Sequence, residues 1–228
     1  MTPADALKPS KALNGVHGVH MLPHSPFTFQ EIKQHGDLNQ SASGTSNIGS
    51  NQSIIAQNLA ESVVNVLTSL PFIALGIQAP RKNVNCKIYA NSLIGVGVAS
   101  SLYHSSRGKW RKYFRWADYA MIATATVCLS RAIRKENSKL LMAASAMCLP
   151  IQPLMVSAVH TGLMEVAFAK RASEDPDLRM AHNVHKMSSV VGGALFIADD
   201  LFPETPFLHA GWHLAAAVGV GTCNKLLE

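Results

Sequence analysis

Residues 139–170 read KLLMAASAMCLPIQPLMVSAVHTGLMEVAFAK, an apolar stretch between two lysines in which Glu165 is the one acid. A single helix of this length overshoots the ~20 residues that cross a bilayer. Pro150 and Pro153 each remove a backbone donor and clash with the turn before them, which favours a break at Pro150-Ile151-Gln152-Pro153. Two short helices of about 15 residues each result, and they cross a membrane only with tilt or local thinning. Whether this stretch counts as one helix or two sets the direction of every helix that follows.

The rest of the chain has a similar texture. Of its 228 residues 48% are hydrophobic and 15% charged, the mean hydropathy is +0.13 and the net charge is +6. Charges are nearly absent from 59–80, 88–106, 117–130, 140–169 and 205–224 and crowd the intervals between them. That distribution predicts an all-α, polytopic membrane protein, a seven-transmembrane-helix bundle, with a soluble helical bundle as the alternative. The expected spans are Leu59–Ala79, Ile88–Ser105, Trp116–Ile133, the two halves of 139–170, Ala181–Ala198 and a last one from Leu208. A basic loop holding Arg107, Lys109, Arg111, Lys112 and Arg115 precedes the third. Residues 1–56, rich in Gly, Ser, Asn, Gln and His, read as a disordered tail ahead of a helical domain over 57–228. The tail histidines His17, His20 and His24 lack a scaffold and read as solvated. Cys86, Cys128, Cys148 and Cys223 lie far apart with no C-x-x-C spacing, which implies neither a disulfide framework nor a zinc knuckle. The basic loops carry no nucleic-acid motif; anionic lipid head groups suit them better.

Histidines supply the chemistry. His209 and His213, four residues apart at the start of the last segment, project from one helical face, which is metal-ligand spacing. His104 closes the second span, and Asp118 lies near the start of the third. Antiparallel helices reverse at each loop, so His209 joins His104 and Asp118 only if 139–170 is two helices. Six spans would place the two histidine groups a bilayer thickness apart, roughly 30 Å. The same parity puts Glu61, Asp199 and Asp200 toward this face and His182 and His185 on the other. His160, mid-span, is expected to be hydrogen-bonded within the bundle. Three histidines suit Zn2+, with a fourth position open to water, and hydrolysis of an amide or ester is the natural use. Asp118 reads as base or orienter of that water, or as a partner of Arg115 or a helix cap. Ser100, one turn before His104, reads as a donor to the site or as bonded to its own backbone.

S-x-x-x-H over Ser100–His104, the aspartate Asp118 and H-x-x-x-H over His209–His213 together resemble the signature of the superfamily of seven-transmembrane hydrolases and receptors. That superfamily includes the alkaline ceramidases, the progestin and adiponectin receptors and the GPI-anchor lipid-remodelling proteins. His209-Ala-Gly-Trp-His213 is most similar to the H-A-W-W-H form of the alkaline ceramidases, and Glu61-Ser-Val-Val-Asn65 resembles their E-x-x-N-like segment. Across roughly 57–226, the resemblance implies a zinc site at His104, His209 and His213, with Ser100 and Asp118 catalytic. Glu61, Asn65 and Asp199 are candidates for the surrounding shell. The implied substrate is ceramide or a related long-chain lipid amide; the rival is a non-catalytic lipid receptor or scaffold with a structural zinc. A calcium site is not expected, because no acid occurs between Asp37 and Glu61 and no tryptophan precedes Trp110. An endomembrane location, ER or Golgi, is expected, with an organellar membrane as the alternative.

Overall fold

The structure, a computed structural model, describes residues 48–134 and 138–228, with side chains from 57 onward. The histidines of the amino-terminal tail lie outside the described residues. What is described is all-helical, with seven α-helices: α1 Ile48–Gln78, α2 Val84–Ser105, α3 Lys109–Arg134, α4 Lys139–Cys148, α5 Pro153–Glu174, α6 Arg179–Leu201 and α7 Leu208–Leu226. A single 3-10 turn, Pro176–Leu178, joins α5 to α6. Helix α1 begins at Ile48, inside the stretch assigned to the tail. Within α1, Gln57–Gln78 has a mean hydropathy of 1.6 and is long and apolar enough to cross a membrane by length and composition.

The proline break is present, but it divides the stretch unequally. Ser138 caps α4 by accepting from the Leu141 amide, and α4 ends after 10 residues. Pro153 then occupies the first turn of α5, where its missing donor costs nothing, and α5 runs for 22 residues. Two equal halves were expected; α4 starts at Lys139 and stops at Cys148, two residues before Pro150, whereas α5 continues past Lys170 to Glu174. The third helix also departs from expectation, because the basic stretch is largely helical and α3 starts at Lys109. Its true turn is short and hinges on Gly108, whose φ of 62° suits a residue without Cβ. Trp110, Tyr113 and Trp116, three residues apart, line an exposed face of these first turns.

Two side chains fix the helix directions. Trp116, near the start of α3, donates from Nε1 to the Pro150 carbonyl at 3.4 Å, placing the break at that end of the bundle. Arg171, late in α5, donates to the Ile133 carbonyl at 2.8 Å and the Leu226 carbonyl at 3.1 Å, satisfying orphan acceptors in the last turns of α3 and α7. Helices α3 and α5 therefore run the same way, with α4 returning between them. Around the bundle the packing order is α5, α3, α2, α1, α7, α6, and α5 and α6 at the ends of this series touch only sparingly. Tyr89 donates to Asn224 Oδ1 at 3.0 Å, and Asn224 donates to the Leu75 carbonyl at 3.0 Å, which ties α2, α7 and α1 together.

Close approach of α1 and α2 depends on the lack of a side chain at Gly97. A Cβ there would lie 2.5 Å from Ile73 Cγ1 and 3.0 Å from both the Ile73 amide nitrogen and the Ser69 carbonyl. Gly97→Val is expected to lower stability by about 1–3 kcal/mol, as overpacking does. At Gly162 a Cβ meets nothing within 4 Å, so Gly162→Ala should be neutral or stabilising by up to about 1 kcal/mol. Thermal unfolding of the two variants under the same conditions checks the contrast.

Candidate metal centre

Helix polarity brings the end of α2 and the start of α7 to one end of the bundle. His104 sits in the last turn of α2, His209 in the first turn of α7, and His213 one turn further on. All three are buried, and each offers a ring nitrogen within 4.8 Å of the other two. Ring centroids are 4.9 Å apart for His104 and His209, 5.1 Å for His104 and His213, and 4.7 Å for His209 and His213. These three histidines can hold a metal ion. Just before them Phe207 adopts a left-handed conformation, φ 66°, which turns the chain into α7 and costs of order 1–3 kcal/mol. On α1, the Ser62 hydroxyl donates to the His104 carbonyl and secures the last turn of α2.

Hydrogen bonds around the rings settle which nitrogen is free. His209 Nδ1 lies 2.9 Å from Asp199 Oδ2, so Nδ1 carries the proton and Nε2 keeps its lone pair. Thr68 Oγ1 lies 2.9 Å from the Val64 carbonyl and 3.0 Å from His213 Nδ1. A hydroxyl has one proton, and with the carbonyl receiving it, Thr68 accepts from His213 Nδ1–H. Nε2 of His213 is left as the ligand. His104 Nε2 and His209 Nε2 are buried with no hydrogen-bond partner. Orphaned buried acceptors are rare and cost roughly 1–3 kcal/mol each, and an ion between them removes that penalty. The carboxylate on His209 is the usual outer support of a metal-ligating histidine.

Asp118 is 1% exposed, nine residues into α3, so it caps nothing; its Oδ1 is buried and unpartnered. With Ser100 and His213 it lines one cavity of about 300 Å³. Ser100 is placed differently from expectation. Its hydroxyl is 2.8 Å from Ser69 Oγ, which is itself 2.7 Å from the Asn65 carbonyl. With Ser69 donating to Asn65, Ser100 donates to Ser69, and its proton points toward α1 rather than the site. Asn65 is buried with Oδ1 unpartnered, and Asp199 buttresses His209. Glu61 is half-buried and makes no hydrogen bond or ion pair among the described residues. His160 bonds Ser145 Oγ at 2.8 Å within the bundle, as expected. His185 pairs with Glu165 rather than with the centre.

Sequence reasoning passed over Ser62, Thr68 and Ser69. Their signal was available, because Ser62, Asn65, Thr68 and Ser69 recur at helical spacing and share one face of α1. No family model, curated protein or solved structure matches this chain.

If Asp199 orients His209, Asp199→Ala should weaken metal binding by about 10–100-fold. Glu61→Ala should leave it unchanged. Competition with a chromogenic chelator measures both.

Proposed function

We propose that this chain is an integral membrane hydrolase, a seven-helix bundle that binds zinc through His104, His209 and His213 and cleaves the amide of ceramide or a related lipid. The observation that carries the reading is the set of three buried imidazoles with converging ring nitrogens, two of them supported at Nδ1, together with a buried Asp118 oxygen that has no hydrogen-bond partner. Three nitrogen ligands fit a catalytic zinc site that keeps a position for water or substrate. When bound, zinc supplies Lewis acidity and brings the pKa of water to near 7.

The chain's own groups supply the remainder. Asp118 Oδ1, with no other partner, is free to accept a proton from water and return it to the leaving amine. Thr68 and Asp199 hold two rings in the ligating tautomer. A change of Ser100 rotamer would free its hydroxyl from Ser69 and let it donate to a carbonyl oxygen. One side of the cavity is formed by Phe72, Leu93, Val96, Ile122, Leu129 and Met164, a surface suited to an apolar part of a lipid.

Support for the membrane comes from an inverted distribution of polarity. Leu59, Leu67, Val98, Met155, Val190 and Leu214 face outward, while Ser69, Ser100, His104, Asp118, His160 and Asn224 are buried. In water, exposed apolar residues over so many helices would be a liability. In lipid they are the expected outer surface, and the intramembrane acid and histidines mark function. The exposed Trp110, Tyr113 and Trp116, interleaved with Lys109, Arg111 and Lys112, fit an interfacial belt against anionic head groups.

Receptor-like binding without turnover is favoured by one observation, the Ser100 proton turned away from the site. Purified protein incubated with intact ceramide distinguishes the two. Release of sphingoid base, reduced by about 10²–10⁴-fold in Asp118→Asn with zinc retained, is the outcome expected of the hydrolase. Lipid binding with no product in the parent protein would contradict it.

A further inference from the structure

Glu165 and His185 form a polar pair far from the metal centre, at a seam where the two helices that carry them barely meet. On α5, Ser157, Thr161 and Glu165 fall four residues apart and share one face; on α6, His185, Ser189 and Gly193 do the same. The helices are antiparallel across the short turn at Pro176–Leu178. Glu165 Oε1 accepts from His185 Nε2 at 2.7 Å and from Ser189 Oγ at 3.0 Å. Thr161 and Ser157 continue this face of α5 toward the metal-centre end, and Ser189 and Gly193 continue that of α6 toward the same end. Each stripe rises about 12 Å along its helix.

Two features separate this seam from ordinary structural polarity. Neither the Ser157 nor the Thr161 hydroxyl makes a hydrogen bond among the described residues. Thr124, Ser145 and Ser188, by contrast, turn back onto carbonyls of their own helices. Moreover, Ser157, Thr161, His185, Ser189 and Gly193 line the same cavity as Asp118 and His213. From His213 to Cys223 that cavity follows α7 for about 15 Å, and His185 lies about 9 Å from the start of α6. The polar seam thus leads from near the far end of the bundle to the metal centre.

Charge narrows what the seam would accept. His185 Nδ1 faces Thr222 Oγ1 at 2.9 Å, and Thr222 gives its proton to the Gly219 carbonyl at 2.6 Å, so Thr222 accepts from the ring. Both ring nitrogens then donate, and His185 as an imidazolium neutralises Glu165. No Lys or Arg lines the cavity. Hydroxyls with a net-neutral pair suit an uncharged head group that offers hydroxyls of its own, and leave the charge of a phosphate uncompensated.

We propose that the seam between α5 and α6 is a head-group track, along which the uncharged, hydroxyl-bearing head of a membrane amphiphile passes between the far side of the bundle and the metal centre while its chains stay in lipid. The proposal rests on the membrane-spanning reading above, and not on hydrolysis. Its consequence is a second activity: exchange of neutral lipids between leaflets.

The full chain, reconstituted in phosphatidylcholine vesicles with a trace of fluorescent glucosylceramide, tests it. A membrane-impermeant reductant bleaches the outer leaflet, and further bleaching reports exchange. Exchange should exceed that of protein-free vesicles by about tenfold or more, since hydrogen bonds in the seam replace those the head group gives up on leaving water. Ser157→Ala/Thr161→Val should return it toward the protein-free rate. So should Gly193→Leu, whose new side chain enters open space with nothing within 4 Å of its Cβ and fills the seam. Unchanged metal content shows that these variants fold. A fluorescent phosphatidylserine should not be accelerated. Exchange equal to protein-free vesicles, exchange untouched in both variants, or equal acceleration of phosphatidylserine would each overturn the track. His104→Ala/His209→Ala, neither of which lines the cavity, separates the two proposals, because it should abolish hydrolysis and leave exchange intact.

Discussion

Buried nitrogen lone pairs with nothing to bond are the constraint around which this structure is organised. His104 and His209 each present Nε2 to the interior without a partner, and the proton on His213 Nδ1 is directed away from the site by Thr68. Such atoms are costly in a packed interior, more so where water is excluded, unless a cation satisfies them together. Much else serves that convergence. Ser62 pins the last turn of α2, Asp199 reaches from the end of α6 to the first turn of α7, and Gly97 lets α1 and α2 approach closely enough for these bonds to form.

The helix count belongs to the same constraint. With α4 and α5 fused into one rod, α6 and α7 would run in the opposite sense, and His209 would open at the other end of the bundle. Pro150 and Pro153 prevent fusion, and the Trp116 bond to the Pro150 carbonyl holds the resulting corner at the metal-centre end. At the opposite end, Arg171 secures the last turns of α3 and α7. Two proline residues remote from the centre in sequence thereby decide whether it can exist.

The sequence made the parity legible, and with it the meeting of His104, His209 and His213, because proline chemistry and chain reversal are local rules with a global consequence. Lengths were harder to read. A ten-residue α4 is set by its Ser138 cap and by packing of Met142 and Leu149 against Ala123, Val127 and Val156, which composition does not reveal. The basic stretch before Asp118 looked like a loop because charge was read as solvent exposure; its aromatic residues at three-residue spacing were the helical signal. Ser100 looked like a site donor because its partner, Ser69, lies on another helix and only tertiary packing reveals the bond. Glu61, singled out by resemblance, makes no bond to the centre, whereas Thr68, two turns further along α1, does the supporting.

X-ray absorption at the zinc edge of the purified protein addresses the convergence of the three rings most directly. The account predicts a zinc ion with nitrogen and oxygen scatterers at about 2.0–2.1 Å and the outer-shell pattern of imidazole rings. A protein without bound metal, or a zinc ion with sulfur scatterers at about 2.3 Å, would contradict it.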